Sequence, residues 1–361
     1  MIQSTCKETG DPGDARTSRG PDRMDISIYN TPLGGYQRDE YRRFLESCGL
    51  RDEEDADFIV WGSEDGQLMA SGALSGHIIK QLAVAPEAEG QGVMAAVISA
   101  VISEAAARGV YRLFLCTKPA NRSMFSSLGF YEVAATDDAL LMENRRDGVE
   151  SFIDSIPRFD GVRGAVVCNC DPFTLGHRHL IGHAAAACDS LYVFAVSESG
   201  SMFTPDERLE MIRKGTQDIP GCCVLASDLY LVSRATFPAY FIKDKVKAEE
   251  VRSDLDIVFF SEKLAPALGI TKRFVGEEPL DPVTDAYNRR MKELLPARGI
   301  SLEEIPRRRD SDGEIISASR VRKLIAEAAQ LTAGEADSKL EQIRDLVPES
   351  TYDAVLRHLK K

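Results

Sequence analysis

From Phe58 the chain alternates short apolar runs with polar turns: FIVWG, SEDG, then QLMASGAL. Apolar runs of this length, bounded by turn residues, predict strands. A third run, IIKQLAVAP, closes at Pro86, and the glycine-containing stretch from Glu87 to Gly92 separates it from a helical pattern over Val93 to Arg108. After Gly109, YRLFLCT predicts a buried strand. Asn121 to Leu128 predicts a short helix stopped by Gly129, with FYEVA and LLMEN as two further strands. Residues 24–146 therefore read as one α+β domain. The polar stretch before it, residues 1–23, reads as a disordered tail, and residues 147–160 read as a linker.

A second pattern begins with the apolar strand Gly164 to Cys168 and continues through the loop NCDPFTLG into a helix near His177. Leu180, Ile181, Ala184, Ala185 and Cys188 fall on one stripe of that helix, as a 3.6-residue period requires. The strand LYVFAV follows. Thr204, Pro205 and Glu207 then mark a helix start, with a capping box and a proline where its missing N–H costs nothing. CCVLAS, DIVFF and KRFVG are expected as further strands between helices. Buried strands alternating with helices predict a parallel α/β sheet over residues 161–330, which binds ligands beyond the carboxyl ends of its strands. Residues 331–361 read as a helical tail of two short charged helices.

Composition narrows the function. Lys plus Arg number 44 and Asp plus Glu 57, for a net charge of −13, so the chain repels nucleic-acid backbones at long range. No apolar run reaches the roughly 18–20 residues of a membrane span, and the N-terminus carries no apolar signal segment. The 8 cysteines contain no C-x-x-C pair, which fits free thiols in a reducing cytoplasm.

Two helix starts carry the candidate chemistry. In Thr174-Leu175-Gly176-His177 the chain leaves a strand and enters a helix, whose free amides suit an anion. Gly176 is expected to let a phosphate approach, Thr174 to add a hydroxyl, and His177 to supply a hydrogen bond or a positive charge. Near the end of the same domain, Ile316-Ser317-Ala318-Ser319-Arg320-Val321-Arg322 opens another helix with Ser317 as N-cap. Helical side chains lean toward the N-terminus, so Ser319 and Arg322 both reach an anion there. Gly276 and Glu277 end a strand where a nucleotide's ribose or base would lie. Arg234, in the run Ser233 to Tyr240, is a candidate clamp for a small carboxylate or a phosphate, and Arg307 to Arg309 are candidates for drawing in a polyphosphate. His179 and His183 lack a third ligand at metal-binding spacing, so no metal site is expected.

T-x-G-H paired with I-S-x-S-x-x-R resembles the nucleotidylyltransferase superfamily. That resemblance implies that Thr174 and His177 bind nucleotide phosphates and that Ser319 and Arg322 contact their β/γ end. Glu89-Gly90-Gln91-Gly92-Val93-Met94, with Asn121, Phe125 and Leu128-Gly129-Phe130 downstream, resembles the GNAT acetyltransferase fold. There Gly90, Gly92 and Asn121 would hold a CoA-like group, although Glu89 and Met94 depart from that fold's loop pattern. The order of the two domains, with CNCDPFTLGHRHLI, FTPDERLEMIRKGT, LVSRATFPAYFIK, VGEEP and ISASRVR, resembles the [citrate (pro-3S)-lyase] ligase family. That family implies ATP, supplied as its Mg²⁺ complex, and acetate as substrates. It also implies the CoA-like thiol of the citrate lyase acyl carrier subunit as acceptor, with AMP and pyrophosphate released. The alternatives are a plain nucleotidylyltransferase acting on a phosphorylated small molecule and an acetyl-CoA-dependent acetyltransferase.

Overall fold

The structure is a computed structural model that describes residues 16–19, 24–197, 201–231, 241–242 and 244–360. Its contacts divide into two units, the first holding the chain up to Arg146 and a later segment that ends at Arg252, the second opening at Asp147 and holding the rest.

The first unit contains β1 (Arg16–Arg19), β2 (Asp25–Asn30), α1 (Gly35–Ser47), β3 (Phe58–Glu64), β4 (Gln67–Ser75) and β5 (Ile78–Val84). It continues with α2 (Val93–Ala107), β6 (Phe114–Thr117), α3 (Arg122–Ser127), β7 (Tyr131–Ala135) and β8 (Leu140–Glu143). These strands form one sheet in the order β1-β2-β3-β4-β5-β6-β8-β7. Most of the stretch expected as a disordered tail lies outside the described residues. Within it, β1 adds antiparallel to β2, because the outer edge of β2 offers unpaired backbone groups.

Every pairing in this sheet is antiparallel except β5 with β6, which run parallel through only two register pairs, Ile78 with Phe114 and Ile79 with Leu115. Beyond those pairs the two strands share no ladder, and the chain leaves their carboxyl ends toward α2 and α3. Helix α2 packs Val97, Ile98, Val101 and Ala105 into the core. It sits close over β4, where a Cβ on Gly72 would meet Val97 at 2.9 Å and Leu82 at 3.0 Å.

The second unit runs through α4 (Gly148–Asp154), β9 (Arg163–Cys168), α5 (Leu175–Ala186), β10 (Ser190–Ala195), α6 (Pro205–Gly215) and β11 (Cys222–Ala226). Then come α7 (Lys245–Phe259), whose residues up to Arg252 group with the first unit, and α8 (Ala265–Leu268), β12 (Ile270–Gly276), α9 (Pro282–Leu294) and β13 (Ser301–Ile305). Helices α10 (Ala318–Ala328), α11 (Ala333–Arg344) and α12 (Glu349–His358) finish the chain. The sheet order is β11-β10-β9-β12-β13 and every pairing is parallel. The chain builds outward from β9 to one side, then crosses to β12 and builds to the other. The carboxyl ends of β9 and β12 therefore flank the crevice where such sheets take ligands.

Two segments differ from the sequence expectation. DIVFF is not a strand; it forms the end of α7 and the first residue of the π-turn that follows, Phe260–Leu264. Ala248, Val251 and Leu255 upstream supply a helical stripe, and a short apolar run by itself does not separate strand from helix. The stretch expected as a linker contains α4, with Val149, Phe152, Ile153 and Ile156 buried at helical spacing and Phe152 against Tyr230 at 5.0 Å between ring centres. The two C-terminal helices form as expected, and with the turn between them they contribute Ile343, Leu346, Val347, Ala354 and Val355 to the core of this unit.

Candidate active site

Helix α5 starts on a reciprocal cap. The Thr174 hydroxyl accepts from the His177 amide at 3.3 Å, and the Thr174 amide donates to His177 Nδ1 at 3.0 Å. A backbone N–H can donate only to an unprotonated ring nitrogen, so the proton of neutral His177 sits on Nε2. The ring stacks on Phe173, with 6.0 Å between centres. Burial, then the nearby Arg307 and Arg322 guanidinium groups, push its pKa down to about 3. His177 therefore offers a hydrogen bond and no charge, which removes the positive-charge role expected from the sequence.

The cap also changes the part Thr174 plays. Its side chain is buried, does not line the cleft, and holds His177 in place, where the sequence suggested a direct phosphate donor. The expected cradle of free amides is largely taken as well, since Leu175 N–H donates to Leu346 O at 2.9 Å and His177 N–H to Thr174. Gly176 does not open a path for an anion either. A Cβ there would stand 2.7 Å from the Ile316 carbonyl oxygen. Glycine is needed so that the start of α5 can lie directly against the residue that leads into α10.

At α10 the Ser317 hydroxyl accepts from the Arg320 amide at 3.3 Å and lies 3.2 Å from the Ser319 hydroxyl. Among the described residues, the Ala318 and Ser319 amides have no hydrogen-bond partner, and both residues line the cleft. Arg322 donates to the Asp171 carbonyl and keeps a 3.8 Å ion pair with the Asp171 carboxylate, with its guanidinium still accessible. Asp171 is itself fixed by the Met202 and Phe203 amides at 3.2 and 3.0 Å. The fully buried Arg208 donates to the Asn169 carbonyl at 2.9 Å and holds the loop after β9 from below.

His177, Ser317, Ser319, Arg322, Arg307 and Gly276 line one cleft of about 530 Å³ at the carboxyl ends of β9 and β12. Gly276 donates its carbonyl position to the wall, accepting from buried Asn288 Nδ2 at 2.9 Å. Glu277 does not line this cleft. Its carbonyl accepts from Arg307 Nε at 2.5 Å, and it lines a neighbouring acidic depression with Asp285, Glu304 and Glu278, the last of which also borders the cleft and pairs with Arg307. Of the three consecutive arginines only Arg307 reaches the cleft; Arg309 donates to the Gly313 carbonyl at 2.7 Å. Cys170 also borders it, but burial holds its thiol well above the ordinary range and so protonated. Arg234 lies outside the described residues.

Sequence reasoning missed Asn169, Asp171, Arg208 and Arg273. The first three hold the β9–α5 loop; they lie within CNCDPFTLGHRHLI and FTPDERLEMIRKGT, but sequence reasoning assigned them no role of their own. Arg273 lies within β12 and is taken up below.

In the first unit, Gly90 and Gly92 have φ of +77° and +76°, and Gly92 is the N-cap of α2 with no side-chain cap. Asn121 follows β6 and donates to the Thr117 hydroxyl at 2.9 Å. Both loops leave the carboxyl ends of the parallel pair β5 and β6. Met94 is partly buried and packs against the core of the unit.

Fold and cleft together define a GNAT-like domain followed by a parallel-sheet domain of nucleotidyltransferase type. Known proteins agree. Residues 25–132 match the acetyltransferase (GNAT) family and residues 163–355 match the citrate lyase ligase C-terminal domain. The [citrate [pro-3S]-lyase] ligase of Klebsiella pneumoniae is 39% identical over 296 residues, spanning 80% of this chain and 86% of that protein. The Escherichia coli K12 protein of the same name is 35% identical, over 88% of this chain and 93% of its own length. A phosphopantetheine adenylyltransferase of Rhizorhabdus wittichii is 40% identical over 67 residues, 18% of this chain and 41% of that protein. The chain belongs to the [citrate [pro-3S]-lyase] ligase family.

Proposed function

We propose that this enzyme activates citrate lyase by acetylating the CoA-like thiol of its acyl carrier subunit, using ATP and acetate. In the first step an acetate oxygen attacks the α-phosphorus of MgATP. The O–Pα bond forms, the bond from Pα to the β-phosphate oxygen breaks, and pyrophosphate leaves with the electron pair. In the second step the carrier thiolate attacks the acyl carbon of acetyl-AMP, the C–O bond to phosphate breaks, and AMP leaves. The carrier's proton passes to solvent.

One observation carries the reading: His177, its Nδ1 taken by the Thr174 amide, lines the parallel-sheet crevice together with Arg307 and Arg322. Adenylyl transfer needs positioning and charge neutralisation more than a protein nucleophile. Arg307 and Arg322 supply charge, His177 Nε2–H, the Ser319 hydroxyl and the α10 amides supply donors, and Thr174 orients His177. Protonated Cys170 is unsuited to nucleophilic attack. In the same reading, Gly90, Gly92 and Asn121 hold the pantetheine arm of the carrier's prosthetic group. Both glycines have positive φ and leave two positions of the loop ahead of α2 without a side chain.

The reaction is tested with purified carrier subunit, MgATP and radiolabelled acetate. Carrier-bound label stable to acid and released by hydroxylamine, appearing one for one with AMP, is the expected result. Label transferred from acetyl-CoA without ATP would instead assign the activity to an acetyltransferase.

A further inference from the structure

Arg273 is 3% exposed, and its Nε and Nη1 have no hydrogen-bond partner. No ion pair engages it among the described residues. Its guanidinium carbon lies 4.6 Å from the centre of the Phe260 ring. Stacking on a ring face leaves the N–H groups pointing outward in the guanidinium plane. Arg273 also lines the floor of the cleft, beside Val275, Met291, Val167 and the Tyr287 ring. The Tyr287 hydroxyl is already committed to the Asp256 carboxylate.

Two nitrogens of this buried guanidinium are left without an acceptor, a desolvation cost that an arriving anion would offset. The reaction brings two anions into this cleft. The polyphosphate meets the donors at the helix starts, namely His177, Ser319 and Arg322. Arg273 is set apart from them, three residues before the carboxyl end of β12 and among apolar side chains.

We propose that Arg273 binds the carboxylate of the acid to be activated, so that this basic, apolar-walled recess is the acetate subsite. A guanidinium fork takes a carboxylate through two parallel N–H···O contacts and leaves lone pairs on its oxygens. One oxygen remains free to form the O–Pα bond as pyrophosphate leaves. Val275 and Met291 would meet the methyl group. The proposal rests on the acyl-adenylate reading above, and the experiment separates the two.

The test measures pyrophosphate–ATP exchange by the intact enzyme against acetate and ATP concentration, for wild type, Arg273→Lys and Arg273→Met, with melting curves for each. Wild-type exchange must require acetate; exchange independent of acetate would remove the acyl-adenylate reading itself. Given that requirement, Arg273→Met is expected to raise KM for acetate by about 100-fold and KM for ATP by less than about threefold. Arg273→Lys is expected to fall between, and it carries the test if the Met variant does not fold. An equal rise in both KM values would make Arg273 a phosphate ligand and overturn the proposal. A lower melting temperature with both KM values unchanged would reduce it to a packing residue, and would also overturn it.

Discussion

At the scale of single residues, the site depends on where one proton sits. Thr174 N–H occupies His177 Nδ1, and burial with Arg307 and Arg322 keeps the ring neutral. His177→Asn should reduce acetate-dependent exchange by about 100-fold, the scale seen when one preorganised donor is lost. Melting and ATP-independent properties should change little.

The same residue predicts a pH effect on stability. Its pKa is about 3 in the fold against 6.5 as the ordinary value. The contribution is complete above pH 6.5 and is lost as pH falls toward 3, because only the unfolded chain takes up the proton. Urea unfolding from pH 7 to 4 should therefore lose up to about 1.4 kcal/mol per pH unit from this group. In His177→Asn that part of the slope should be missing; equal slopes would contradict the assignment.

Gly176 offers a second residue-scale check. The added methyl of Gly176→Ala would stand 2.7 Å from the Ile316 carbonyl, a backbone atom that moves only with the start of α10. We expect a loss of about 1–3 kcal/mol in stability and a raised KM for ATP. Unchanged ATP kinetics would show that the two motifs need not touch.

At the scale of elements, α5 and α10 form the site, and the C-terminal segment of α11, α12 and the turn between them braces it. The Leu346 carbonyl takes the first amide of α5, and Ser350 donates to the Met211 carbonyl of α6 at 3.1 Å. Leu346→Ala should cost about 2–5 kcal/mol and weaken activity together with stability. If urea midpoints were unchanged, these helices would be ornamental to the unit.

The capped starts of α6 and α10 were legible in the sequence, because Thr204 and Ser317 make their caps with residues three positions on, whereas at Thr174 the sequence suggested a phosphate donor in place of a cap. The α7 helix was misread because its apolar end looked like a strand once separated from the charged turns before it. The support given by Arg208, Asp171 and Leu346 was not legible at all. Each acts across more than thirty residues through a backbone carbonyl or amide, and any sequence supplies those groups. Arg273 was invisible for a related reason: an arginine in a strand shows its burial and lack of partners only once the sheet is assembled.

At the scale of the whole molecule, the proposed function divides one reaction sequence between two units of different fold. In that proposal adenylate formation needs the cleft of the second unit. The glycine loop of the first is assigned to the carrier's prosthetic arm. Gly92→Val places a branched side chain at φ +76°, which strains the loop. It should leave pyrophosphate–ATP exchange within about twofold and raise KM for the carrier about tenfold or more. Equal losses in both assays would remove that division of labour.

The central claim is that this cleft joins acetate to AMP with His177 as the neutral donor. Pyrophosphate–ATP exchange, run with Mg²⁺, with and without acetate, and with His177→Asn alongside, tests it most directly. The account predicts exchange that requires acetate and is nearly abolished in the variant. Exchange supported by a phosphorylated small molecule in place of acetate, or undiminished in His177→Asn, would contradict it.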